Sequence, residues 1–133
     1  MDILHETETH LFWEEEGILC FKYKVPIIDI EVARNGLAVR NKITNNKPSL
    51  VYSDCSLVSN VTSEARAFYA SQIGMKTTIA FATLSPTAIS KILATFFLSF
   101  NRPKVPFKFF STKEKAFKWL HEMGKNDQSI NDQ

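Results

Sequence analysis

The stretch SDCSLVSNVTSEARAFYAS, Ser53 to Ser71, gathers the side chains of this chain best suited to chemistry. A loop crowded with hydroxyls leads into a helix that opens at Thr62 or Ser63, carries Glu64 in its first turn and Arg66 one turn further on. At a helix N-terminus a side-chain oxygen satisfies an orphan N–H, and the positive end of the helix dipole also favours a phosphate. One geometry therefore serves two chemistries. Thr62 or Ser63 caps the helix, or Ser63 is a modified serine read by a partner protein, with Glu64, Arg66 and Asp54 as the charges around it. The cap is the simpler reading, and Asp54 reads more simply as a hydrogen-bonding residue at the start of a loop than as a catalytic acid.

Elsewhere the ingredients of catalysis are sparse. The strand-to-helix loops SLVSNVTS, SPT and STK contain no glycine, so backbone N–H groups have no open approach to a phosphate, and neither G-x-G-x-x-G nor a Walker A loop can be written from four scattered glycines. His5, His10 and His121 share no ligand spacing, and Cys20 and Cys55 form no C-x-x-C. A Ser/His/Asp triad lacks a G-x-S-x-G elbow. The expectation is a non-enzymatic protein with no metal and no cofactor, its two cysteines free thiols in a reducing cytoplasm.

The elements that must position these residues follow from the apolar pattern. HLFWEEEGILCFKYKVP reads as a β-hairpin, with Lys22 and Lys24 placing one face of its second strand towards solvent or a sheet edge. Asp29 caps a first helix through about Lys42, in which Gly36 implies close packing, since glycine costs about 1 kcal/mol against alanine there. SLVYSD is a strand, and the helix from Thr62 or Ser63 runs to a stop at Gly74. TTIAFATL is a strand apolar on both faces, hence covered on both. Ser85 and Pro86 open a third helix with the stripe Ile89, Ile92, Leu93, Phe96, Phe97 and Phe100. FKFF is a last strand, and Ser111 with Glu114 forms a capping box before a fourth helix carrying Ala116, Phe117, Leu120 and Met123. Ile79, Phe81, Ile89, Leu93, Phe96 and Phe97 are the expected core.

This order, β-β-α-β-α-β-α-β-α, predicts an α/β domain with a mixed, mostly parallel sheet, an N-terminal β-hairpin and four helices. With 133 residues there is room for one domain, over residues 1–123, followed by a polar, disordered tail over 124–133. The net charge of +2 comes from 16 basic and 14 acidic residues spread along the chain, which points away from nucleic acid. The acidic N-terminus does not read as a signal peptide, and AISKILATFFLSF, interrupted by Lys91, is shorter than the roughly 20 apolar residues of a membrane span. The segment from Phe96 to Phe110 is so rich in phenylalanine that Phe96, Phe97, Leu98 and Phe100 are candidates for a surface that meets an apolar small molecule or a second copy in a homodimer.

The segments TSEARAFYAS and TTIAFATLSPTAISKILATFFLSFNRPKVPFKFFSTKEKAFKWL, in this order of elements, resemble the STAS/SpoIIAA-like superfamily, and more narrowly a small bacterial group of uncharacterised SpoIIAA-like proteins. The resemblance spans Leu11 to Met123. In the anti-sigma-factor antagonists of that superfamily, a D-S-x-G-like motif opens the second helix and its serine is phosphorylated by a partner kinase. Ser63 stands at the matching position, with Thr62 in place of the acid and Ala65 in place of the glycine. The resemblance implies a cytoplasmic STAS-like module that binds a protein partner in a regulatory role. The alternative that it implies is a carrier or sensor of an apolar ligand or lipid, since part of the superfamily is likened to CRAL-TRIO carriers.

Overall fold

Glu16 and Gly17 both take positive φ, 54° and 78°, so the turn closes as a two-residue loop of the mirror-image type that suits the twist of a hairpin. It joins β2 (His10–Glu15) to β3 (Ile18–Tyr23) in antiparallel register, Glu15 opposite Ile18. The computed structural model describes residues 2–71, 76–85 and 105–126. A strand that the sequence did not announce, β1 (Asp2–Glu6), adds antiparallel to β2.

From β3 the sheet continues in parallel through β5 (Ser49–Asp54), β7 (Thr78–Leu84) and β8 (Phe107–Phe110), in the order β1-β2-β3-β5-β7-β8. Lys22 and Lys24 therefore do not mark an edge, because β3 sits between β2 and β5. A second small sheet pairs β4 (Ile27–Ile28) with β6 (Asn60–Val61). It too is absent from the sequence reading, each strand being only two residues long.

Both faces of the sheet are covered, which is why its central strands alternate between two cores. Phe12, Phe21, Val51 and Phe81 pack under α1 (Ile30–Thr44) and α2 (Ser63–Ala70) through Ala33 and Ala65. Cys20, Leu50, Tyr52 and Ala82 pack on the opposite face under α3 (Lys113–Lys125) through Ala116, Phe117 and Leu120. Burial on both faces is the usual condition of parallel strands. Phe81 is buried as expected and Ile79 is half-buried against α3's cluster. The described residues hold three helices rather than four; the expected helix with Ile89, Leu93, Phe96, Phe97, Leu98 and Phe100 lies outside the described residues.

The helix ends follow local chemistry. Asp29 Oδ1 accepts from Val32 N at 2.9 Å, and Asn45 and Asn46 terminate α1 in the left-handed region. Thr112, one residue beyond the expected Ser111, caps α3 by accepting from Lys115 N at 3.3 Å. Its last turn includes Gly124, which is buried, so the segment read as the start of a polar tail begins inside a helix. The expected stop of α2 at Gly74 is also displaced: the helix ends at Ala70, where Ser71 Oγ donates to Phe68 O at 2.6 Å.

Gly36 does mark a close approach of α1 to the sheet, made by a side chain of β2. A Cβ there would collide with His10 Nε2 and lie 2.8 Å from its Cε1. His10, 2% exposed on β2, stacks on Phe12 and leans on Phe21 and Tyr23. Its Nδ1 is bonded to Thr9 Oγ1 at 2.7 Å, while Nε2 is buried with no hydrogen-bond partner among the described residues. Burial lowers its pKa from 6.5 to about 4.

Two outcomes follow. Gly36→Ala should lower stability by about 1 to 3 kcal/mol, the cost of overpacking, although alanine gains about 1 kcal/mol in an open helix position; pairing it with His10→Ala should give a strongly non-additive double-mutant cycle in denaturant melts. As for pH, the unfolded chain protonates His10 near 6.5 and the folded chain only near 4. This contribution is therefore full above pH 6.5 and is lost as pH falls towards 4, by roughly 3 kcal/mol at about 1.4 kcal/mol per pH unit. His10→Asn should remove that part of the slope in melts taken across the range.

Candidate functional site

The carboxyl ends of β3, β5, β7 and β8 come together on the face that carries α1 and α2. In open parallel sheets this is where ligands bind, because the loops and helix starts diverge there. A half-enclosed cavity of about 70 Å³ lies at this end. The sheet contributes Tyr23, Ser53, Phe81, Thr83, Phe107 and Phe109, all on the face that the period-two alternation assigns to one side of the sheet.

The opposite wall is built by the loop after β5. Ser56 N donates to Asp54 Oδ1 at 2.9 Å, so Asp54 turns the chain at the strand end and spends its carboxylate there. Ser59 N then donates to Pro26 O at 2.7 Å and Thr62 N to Ile28 O at 3.0 Å, which straps the loop to β4. These bonds turn Ile28, Val58 and Val61 inward and leave Ile27 and Leu57 exposed. Arg66 and Tyr69 of α2 complete the lining.

Among the described lining residues, five polar side chains are bonded to one another. Ser53 Oγ and Thr83 Oγ1 lie 3.0 Å apart on adjacent strands, and the Cys55 thiol is 3.8 Å from Ser53 Oγ. The phenols of Tyr23 and Tyr69 share a hydrogen bond. Burial raises both tyrosines above their ordinary range and pushes the Cys55 thiol up to about 12. At neutral pH these groups are uncharged, so the thiol is not the thiolate that nucleophilic chemistry uses.

The candidates read from the sequence separate into two groups. Thr62, not Ser63, is the cap: its Oγ1 accepts from Ala65 N at 3.2 Å. Ser63 and Glu64 are exposed in the first turn of α2, whereas Arg66 is half-buried and lines the cavity. The expected surface shared by Ser63, Glu64, Arg66 and Asp54 is thus split. Phe96, Phe97, Leu98 and Phe100 lie outside the described residues, but Phe107 and Phe109 of the same phenylalanine-rich segment face the cavity. The sequence reading missed Tyr23, Ser53, Val58, Thr83 and Ser85. The only signal for them was position: Tyr23 ends β3, Ser53 and Thr83 are the last residues but one of β5 and β7, Ser85 follows β7, and Val58 lies in a loop.

Among the described residues no group of three or more His, Cys, Asp or Glu could hold a metal ion, and no helix is long and apolar enough to cross a membrane. A family described as a domain of unknown function, DUF7793, matches residues 12–124. The chain belongs to this family. Its fold is similar to the crystal structure of an uncharacterized protein of the DUF3478 family from Shewanella loihica PV-4, which has a SpoIIAA-like fold; the TM-score is 0.60 at 17% identity, over 90% of this chain and 99% of that one. No curated protein matches it in sequence. The family member described here is thus an α/β protein of SpoIIAA-like fold.

The cap assignment has a direct test. Thr62→Ala should cost about 1 kcal/mol, and Ser63→Ala less than about 0.5 kcal/mol as an exposed first-turn residue, in urea melts of the two variants side by side.

Proposed function

We propose that this chain is a non-enzymatic module that binds a small, largely apolar molecule, as a carrier or sensor. The observation that carries this reading is the cavity itself: walls of Ile28, Val58, Phe81, Phe107 and Phe109 with a few converging polar groups, at the carboxyl ends of parallel strands. Such composition and placement are those of small-molecule sites. The neutral state of Cys55, Tyr23 and Tyr69 supports binding over nucleophilic or acid-base chemistry.

Regulatory protein binding at α2 is the second reading. It draws on the exposure of Ser63 and Glu64 at the helix start, and on exposed Ile27 and Leu57 beside the cavity wall. Arg66, half-buried and lining the cavity, supports the ligand reading.

Methyl NMR with octanoate or octanamide as probes tests the choice. Saturable shifts confined to Ile28, Val58 and Val61, abolished by Val58→Trp in a folded protein, are expected. Shifts centred on the exposed Ile3 and Leu4 of β1, or undiminished in Val58→Trp, would overturn it.

A further inference from the structure

We infer that the ligand of this cavity carries a hydrogen-bond acceptor, a carbonyl oxygen on an apolar body, and that the paired phenols of Tyr23 and Tyr69 receive it. The inference rests on the cavity being a small-molecule site and adds the chemistry of what enters. Tyr23 ends β3, Tyr69 belongs to α2, and both line the cavity, so their hydrogen bond ties the sheet to the helix at the cavity wall. Ring packing fixes the pair in place. Tyr23 is 2% exposed, with the His10 ring at 4.8 Å and the Phe21 ring at 5.2 Å, and Tyr69 meets Phe68 edge-on at 5.9 Å.

Such a pair carries one hydrogen more than it uses. Each phenol has a single O–H, and the bond between them consumes one, so the phenol that accepts still has its own hydrogen to give. Among the described residues neither phenol has another hydrogen-bond partner. Burial holds both protonated at neutral pH, which keeps that hydrogen in place. Accepting a bond also polarises a phenol and makes it the stronger donor. A buried donor left without a partner costs more than an oxygen lone pair left empty, so the group that completes the pair is an acceptor. A carbonyl oxygen supplies lone pairs and no hydrogen, while Ile28, Val58, Phe81 and Phe107 enclose the apolar remainder. A hydrocarbon of the same shape would fill the walls and leave the phenol hydrogen unpaired.

Cyclohexanone labelled with carbon-13 at its carbonyl and methylenecyclohexane, the hydrocarbon of matching shape, separate these cases in NMR titrations of the full chain. Cyclohexanone should bind about fivefold more tightly, the size of one net hydrogen bond, and its carbonyl carbon should move downfield of its position in hexane. Joint replacement by Tyr23→Phe and Tyr69→Phe, which removes both partners and keeps both rings, should abolish the preference and the downfield shift while leaving the affinity for methylenecyclohexane within about twofold. Equal affinities in the wild type, without the downfield shift, would overturn the acceptor and leave the apolar-ligand reading intact. Failure of both probes to bind would overturn both. A preference retained in the folded double variant would overturn the assignment to the phenols. Should that variant not fold, Tyr69→Phe alone, which leaves Tyr23 without its polarising neighbour, should shrink the carbonyl shift, and an undiminished shift would overturn the same assignment.

Discussion

Parallel pairing of β5 between β3 and β7 requires that both faces of the sheet be buried, and the rest of the molecule answers to that requirement. Val51 and Tyr52, neighbours in sequence, face opposite cores, one under α1 and α2 and the other under α3. A parallel strand cannot leave one face in water as a hairpin strand can, because its crossover helices lie on the sheet. The covering extends to β2 and β3, where Trp13 and Cys20 join α3's core while Phe12 and Phe21 join the other.

Covering a sheet this closely demands small residues where helices approach it. Ala33, Gly36 and Arg40 form the buried side of α1, and the glycine admits a histidine ring from β2 in place of a backbone contact. The buried Arg40 donates to Thr77 Oγ1 at 2.6 Å, and Thr77 donates on to Asn41 Oδ1 at 2.7 Å. Burial lowers Arg40 to about 10. Such bonds keep polar groups satisfied under a helix that is otherwise packed on aromatic rings.

At the carboxyl ends of the strands the covering opens. There α2 is short, eight residues, and the loop before it is held to β4 and Pro26 by backbone bonds and by the Ser59 hydroxyl, which donates to Pro26 O at 3.2 Å. The gap between them is the cavity. Its polarity follows from what the strand ends supply: hydroxyls from Ser53 and Thr83, phenols from Tyr23 and Tyr69, and a guanidinium from α2. The same end of the sheet therefore carries both the least regular chain and the most varied chemistry.

Much of this fold was legible in the residues. Alternation and turn chemistry located β2, β3, β5, β7 and β8, and Asp29 and the hydroxyls at Thr62 and Ser63 marked helix starts, because these signals act over a few bonds. The strands β1, β4 and β6 were not legible, since their pairing depends on partners distant in the chain and two residues have no period. Gly36 announced a close contact but not with whom; only the tertiary structure brought His10 to it across the β2–β3 hairpin, β4 and about two turns of α1.

 The candidate site divides in the same way. Residue types and the helix start near Ser63 could be read locally, so a cap and a cluster of charges were expected there. Whether Arg66 faces solvent or the cavity depends on how α2 rotates against the sheet, which its packing through Ala65 decides. By itself the sequence determined which segments pair and cap, because those preferences are local. Only the tertiary structure decided which strand ends converge on one cavity, because that is settled by the order of strands in the sheet and the side on which each helix covers it.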